Sequence, residues 1–227
     1  MNFKHTNNLF LFLAILLSNF AFSQKGKHGS LTVVSSDTLV NEFTTLTSNA
    51  TAGNSTISVA SSALNTNSRF TSTLQVGDLI MIIQMQGAII KTFAAVGGQD
   101  STYGEVLNYN NAGNYEFAQV YAIPNATSIV LDCGLKNNYL SSGKTQIIRV
   151  PRYTTLTVNA GGALTTDAWN GSIAGVLAVE VNGSTTINGT VSATGLGFRG
   201  GIAANNSNYG GLRFVDLGGG ANEGGLK

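Results

Sequence analysis

The run LQVGDLIMIIQMQG, residues 74–87, leaves few folds open. Leu79, Met81, Ile83 and Met85 alternate with Ile80 and Ile82, so an extended segment is apolar on both faces. Gln84 and Gln86 then turn one of those faces polar. This is the pattern of a central strand covered on each side, and Gly77 and Gly87 bracket it.

Other short strand patterns surround it. SLTVV, TLVNEFTTL and NSTISVA precede it, the last placing Ile57 and Val59 on one face. NYEFAQVYAI sets Tyr115, Phe117, Gln119, Tyr121 and Ile123 against Glu116, Ala118, Val120 and Ala122. PNAT then turns the chain, and SIVLDCGL returns with Ile129, Leu131, Cys133 and Leu135 on one face, which predicts a hairpin. TQIIRV is a further strand, ended by Pro151. No helical periodicity separates these segments. Residues 24–152 therefore read as an all-β module, a small barrel or sandwich.

After Pro151 the texture changes. Leu156/Val158, Leu177/Val179/Val181, Ile187 and Val191/Ala193 form short apolar bursts. Asn-Ala-Gly-Gly, Asn182-Gly183 and Asn188-Gly189 punctuate them. Val158-Asn159 and Val181-Asn182 each lead six residues on to another apolar residue, Leu164 and Ile187. The imperfect repeat predicts the start of a parallel β-solenoid over residues 153–227, its corners built from Asn and Gly. A stack of antiparallel hairpins is the alternative, because Asn-Gly is also the leading hairpin turn. The glycine-rich end from Gly195 lacks a hydrophobic repeat and a recognisable cap, so the chain is expected to be the N-terminal piece of a longer protein.

The first 23 residues carry an export signal. Lys4 supplies a short positive region, and Leu9–Leu17 is an apolar run too short to span a bilayer. Ala21 and Ser23 are small residues at the −3 and −1 positions of a cut between Ser23 and Gln24. No later stretch is long and apolar enough to cross a membrane, so the mature protein is expected to be secreted or on the outer cell surface. The 12 basic and 11 acidic residues of the full sequence are scattered and nearly cancel, which argues against a nucleic-acid partner.

The ending FSQ of the leader, VGDLIMIIQMQGA, QIIRVPRYTTLTVNAGGALTTDAWNG and VNGSTTINGTVSATGLGFRGG together resemble the N-terminal region of large secreted Bacteroidetes proteins. These are gliding-motility-associated or adhesin-like surface proteins, many of them type IX secretion cargo with a C-terminal sorting domain. No sorting domain is recognisable in this sequence. The resemblance implies a cell-surface or extracellular role and supplies no site residues. Asp37-Thr38-Leu39 and Asp100-Ser101-Thr102 match the O-glycosylation pattern of that group, which implies glycan on Thr38 and Ser101.

Few residues suggest chemistry. Gly195-x-Gly197-x-x-Gly200 has dinucleotide-fingerprint spacing, and Asp216 follows where a ribose-binding acid would sit. The residues after it, IAANNSNYGGLRF, make a poor helix, so no N-terminal amides await a pyrophosphate. A turn or loop of the solenoid is the better reading, and no cofactor is expected. Cys133 shares the apolar face of Ile129 and Leu131 and reads as a buried core thiol. His28, the one histidine left after signal cleavage, lies in a short polar leader, which disfavours triad and His-rich zinc chemistry. No Asp-rich calcium loop occurs, so no metal ligands are named. Asn49, Asn54, Asn125, Asn170, Asn182 and Asn188 each begin an Asn-x-Ser/Thr triplet of the sort composition alone creates.

Asp167 and Glu180 are the candidate carboxylates for polysaccharide cleavage, which needs two acids facing one cleft. Glu180 alternates with Val179 and Val181 and is expected to point to solvent. Trp169 is a candidate glycan contact if exposed, and otherwise covers a rung or the junction between modules. The expected function is a non-catalytic structural or adhesive surface segment. Its expected partners are an extracellular surface or glycan and downstream domains of the same protein. The alternatives are the leading module of a carbohydrate-active β-helix enzyme, or a carbohydrate-binding module.

Overall fold

The computed structural model describes residues 25–91 and 105–198. The chain begins with β1 (Leu31–Val33) and β2 (Thr38–Leu39). Next come β3 (Glu42–Thr45), β4 (Thr56–Ser58) and β5 (Leu79–Gln84). A small ribbon, β6 (Ile89–Ile90) and β7 (Val106–Asn108), leads to β8 (Tyr115–Asn125), β9 (Ser128–Leu131) and β10 (Thr145–Val150). Six short strands close the described chain: β11 (Arg152–Tyr153), β12 (Leu156–Val158), β13 (Ala163–Thr165), β14 (Glu180–Val181), β15 (Thr185–Ile187) and β16 (Thr190–Val191). Among the described residues no helix is long and apolar enough to cross a membrane.

Six strands form one antiparallel sheet in the order β3-β10-β5-β8-β9-β4. Its two outer strands meet beyond their ends: Leu46 bridges Val59, Thr47 N donates to Ser58 O at 2.9 Å and Ala60 N to Thr45 O at 3.0 Å. The sheet therefore closes into a barrel. Ile80, Ile82, Val120, Ile129, Leu131 and Ile147 point inward with Leu46, Ile57 and Val59. The opposite face of β5 and β10 carries Met81, Ile148 and Val150, packed against Val176 and Ala178 of the later chain. The doubly apolar pattern of residues 79–83 has this cause: one face lines the barrel and the other meets the solenoid.

The solenoid strands pair in parallel. Leu31, Leu156 and Thr185 stack in one column, Val33, Val158 and Ile187 in a second, and Thr38, Leu164 and Val191 in a third. Arg152 and Tyr153 stack on Glu180 and Val181. Parallel ladders cannot arise from tight hairpins, so the hairpin alternative is removed. The two Val-Asn dipeptides are not equivalent corners, however. Val158 pairs with Ile187, while Val181 pairs with Tyr153, because the turn between β13 and β14 is longer than the repeat in sequence implied.

The first rung also lies elsewhere than expected. SLTVV and Thr38–Leu39 fall within the 24–152 module by sequence, yet β1 and β2 are solenoid strands. The barrel is thus inserted between the first rung (β1, β2) and the second (β11–β13). A short apolar strand looks the same in either sheet, and here the partner is far away in the chain: His28 and Arg152, 124 residues apart, are hydrogen-bonded.

Two buried amides fasten the modules. The Asn41 side chain donates to Arg149 O at 3.0 Å and Ala178 O at 2.7 Å, and accepts from Ala178 N at 3.0 Å. Gln146 brackets Ala174 in the same way, at 2.8 and 3.1 Å. Each amide supplies the irregular 174–178 backbone with the donor and acceptor that a neighbouring strand would give.

Candidate functional site

Charged residues concentrate where barrel and solenoid meet. Asp78, wholly buried, accepts from Lys27 Nζ at 2.6 Å and from Arg149 Nη2 at 2.7 Å. The Arg149 guanidinium also donates to Ser72 O at 2.7 Å and lies 3.9 Å from the centre of the Phe70 ring. Buried Glu42 accepts from Asn67 N and Nδ2 at 2.9 and 3.1 Å. None of these roles is legible locally, because each partner comes from a distant part of the chain.

Both candidate catalytic carboxylates belong to this network. Arg69 grips Asp167 through both terminal nitrogens, Nη2 to Oδ1 at 2.8 Å and Nη1 to Oδ2. Glu180 does not project free into solvent as expected: Arg152 Nε donates to Oε2 and Nη2 to Oε1 at 3.3 Å, tying the second rung to the third. The Arg69 hydrogen bonds hold the Asp167 carboxyl below its ordinary range. A lowered folded-state value means the pair's contribution is complete above the unfolded value, about 4, and fades as pH falls through the folded one. Melting temperature is therefore expected to drop as pH falls below about 4, and Asp167→Asn to remove part of that slope. A variant with an unchanged acid limb contradicts the role given to this pair.

The leader is docked. His28 N donates to Arg152 O at 2.9 Å, and His28 Nδ1 accepts from Arg152 N at 2.9 Å. The imidazole meets Phe70 and Tyr153 edge to face, with centroids 5.1 and 6.5 Å apart. Burial lowers the His28 pKa, opposed by Asp78 and reinforced by Arg149 and Lys27. The same surroundings push the Tyr153 phenol up to about 12 through burial.

The outer barrel face changes character from β10 to β8. Ile148 and Val150 are covered, whereas Tyr115, Phe117 and Tyr121 on β8 are 58%, 51% and 64% exposed. Where cover ends, a groove of about 510 Å³ runs between the modules, lined by Met81, Tyr115 and Phe117 on one side and Val176–Val179 with Val191 on the other. Tyr115 and Phe117 stand edge to face at 6.5 Å. The pairing of β8 with β9 shifts by one residue between Val120 and Ala122, so Tyr121 is extra. That bulge turns the following residues over: Ile123, expected on the tyrosine face, packs on the barrel core instead.

Trp169 is not a surface contact. It is 6% exposed, its ring lies against Phe198 with centroids 5.6 Å apart, and its backbone N donates to Leu196 O at 2.8 Å. The turn that carries Leu196 and Phe198 thus covers the indole. Cys133 is exposed, against expectation, because β9 ends at Leu131 and the alternation does not continue into the bend that follows. Thr38 is half-buried in β2, its hydroxyl 2.9 Å from Ser35 Oγ. Gly195 and Gly197 lie in a turn, with no helix beginning at them. Ser23, Gln24, Ser101 and Gly200 lie outside the described residues. Among the described residues, no three His, Cys, Asp or Glu side chains are grouped to hold a metal ion.

No family model matches the chain, and no curated protein does. Among solved structures it is similar to the tailspike protein gp49 from Pseudomonas phage LKA1, at 15% identity and a TM-score of 0.30 over 62% of this chain. It is also similar to the Pseudomonas phage phi297 tailspike gp61, at 10% identity and a TM-score of 0.31 over 74% of this chain. A third is the Gp54 tailspike of Acinetobacter baumannii bacteriophage AP22, solved with A. baumannii capsular saccharide, at 13% identity and a TM-score of 0.31 over 72% of this chain. The chain spans 27%, 24% and 26% of these three tailspikes.

Proposed function

We propose that this chain is a segment of a secreted cell-surface protein with a structural or adhesive role, and that it makes contact through the aromatic face of β8 without catalysing a reaction. The observation that carries the reading is the row Tyr115, Phe117 and Tyr121, held exposed on a closed barrel beside an apolar groove. Large exposed apolar patches mark binding surfaces, and tyrosine offers both a ring face and a hydroxyl to a surface glycan. Engagement of Asp167 and Glu180 by arginines supports the non-catalytic part, since each acid already has a structural partner. The export leader supports the location.

The test is binding of the purified chain to a panel of extracellular polysaccharides and to whole cell surfaces. Tyr115→Ala/Phe117→Ala/Tyr121→Ala is expected to weaken binding at least tenfold, about 1.4 kcal/mol, with the melting temperature unchanged. Equal binding by the triple variant rejects this face. New reducing ends or unsaturated products in the same incubations, lost on Asp167→Asn or Glu180→Gln, establish the enzyme reading instead.

A further inference from the structure

We propose that His28 is an acid-operated latch: its protonation frees the leader from β11 and uncovers the edge of the second rung. The latch is reciprocal. His28 N–H donates to Arg152 O while the imidazole Nδ1 accepts from Arg152 N–H, both at 2.9 Å. An acceptor Nδ1 carries no proton. Once protonated it becomes a donor facing a donor, and the contact turns repulsive. The ring cannot lean away without leaving Phe70 and Tyr153.

The surrounding charges set the sign. Lys27 on the leader and Arg149 on β10 oppose an imidazolium, whereas Asp78 before β5 and the Arg152 backbone favour it. Asp78 is already shared by Lys27 and Arg149, and Glu180 by Arg152. Burial makes the largest contribution and favours the neutral ring. The latch is thus closed above the ordinary histidine value, about 6.5, and opens as pH falls through the lower folded-state value.

Opening has a defined consequence. β11 is paired with β14 on one side, and the leader covers its other side through His28 N to Arg152 O and through Thr154 N to Gly29 O at 2.7 Å. With the leader gone, that edge presents an unpaired carbonyl and amide to any incoming strand. Acid would thereby expose a strand-pairing site on a protein that is closed at neutral pH.

Hydrogen exchange of the His28 and Thr154 amides, corrected for intrinsic rate, tests this between pH 7.5 and 4.5. Protection is expected to fall at least tenfold relative to barrel amides such as Ile82, with the same midpoint as the His28 ring titration, below 6.5. His28→Asn places an acceptor oxygen where Nδ1 lies and is expected to stay protected at both pH values. Unchanged protection in the wild type overturns the latch. So does an equal loss in His28→Asn, which assigns the effect to a carboxylate. Should His28→Asn be unprotected even at pH 7.5, the wild-type midpoints decide: a ring titration that does not coincide with the loss of protection also overturns it.

Discussion

Asp78→Ala is expected to destabilise the protein by about 3–5 kcal/mol, the range for stripping one partner from a buried ion pair. Asp78 and Arg149 are both enclosed, and the carboxylate is the counter-charge to a guanidinium otherwise bound only to carbonyls and a ring face. It also accepts from Gln75 N at 2.9 Å, which holds the turn before β5, and from Lys27 of the leader. At about 2–4 °C per kcal/mol for a chain of this size, the melting temperature falls by about 10 °C. Replacing both partners, as Asp78→Asn with Arg149→Met, is expected to cost less than Asp78→Ala, because no buried charge is left alone. Thermal unfolding followed by circular dichroism measures both. A loss below about 1 kcal/mol for Asp78→Ala, the level of an exposed pair, contradicts a buried hub.

Gly189→Ala is expected to lift the third rung from the second. A Cβ at Gly189 falls 2.3 Å from both Asn159 O and Gly162 O, and a Cβ at Gly162 would in turn fall 2.6 Å from Val33 O of the first rung. These are backbone atoms at a corner where successive rungs touch, so no side-chain rotation relieves the clash. The cost belongs near the upper end for overpacking, about 3 kcal/mol. It is local: Asn188 N and Thr190 N, which donate to Val158 O and Gly162 O at 2.8 and 2.9 Å, are expected to lose at least tenfold in exchange protection. Barrel amides stay protected. Unaltered exchange at Thr190 contradicts the close corner.

The barrel strands were legible because alternation reports burial directly: Ile57 and Val59, or Ile80 and Ile82, face one core by geometry alone. The solenoid was legible through Asn-Gly corners spaced by short apolar bursts. Partnerships that depend on tertiary position were not. Val33 carries no mark that its neighbour is Val158 rather than a barrel strand. Tyr121 looks like one more member of an alternating face until a bulge inserts it. Asp167 and Glu180 read as possible reactive acids because their arginines, Arg69 and Arg152, lie far off in sequence. Trp169 needed the position of Leu196 and Phe198 to be recognised as buried. The aromatic face was visible in part, since Tyr115, Phe117 and Tyr121 fall on one side of a strand; its exposure depends on where the solenoid stops covering the barrel.

Insertion of the barrel between the first two rungs orders the events of folding. Pairing of β1 with β12 must bring together segments more than a hundred residues apart, a contact that is slow to form from an open chain. Within the barrel, Glu42 of β3 and Arg149 of β10 are direct antiparallel neighbours. Once those strands pair, the chain enters and leaves the barrel side by side, and the remaining closure spans only a few residues at each end. Assembly of the barrel is therefore expected to precede zipping of the solenoid, with the inserted module as the platform on which the rungs pair.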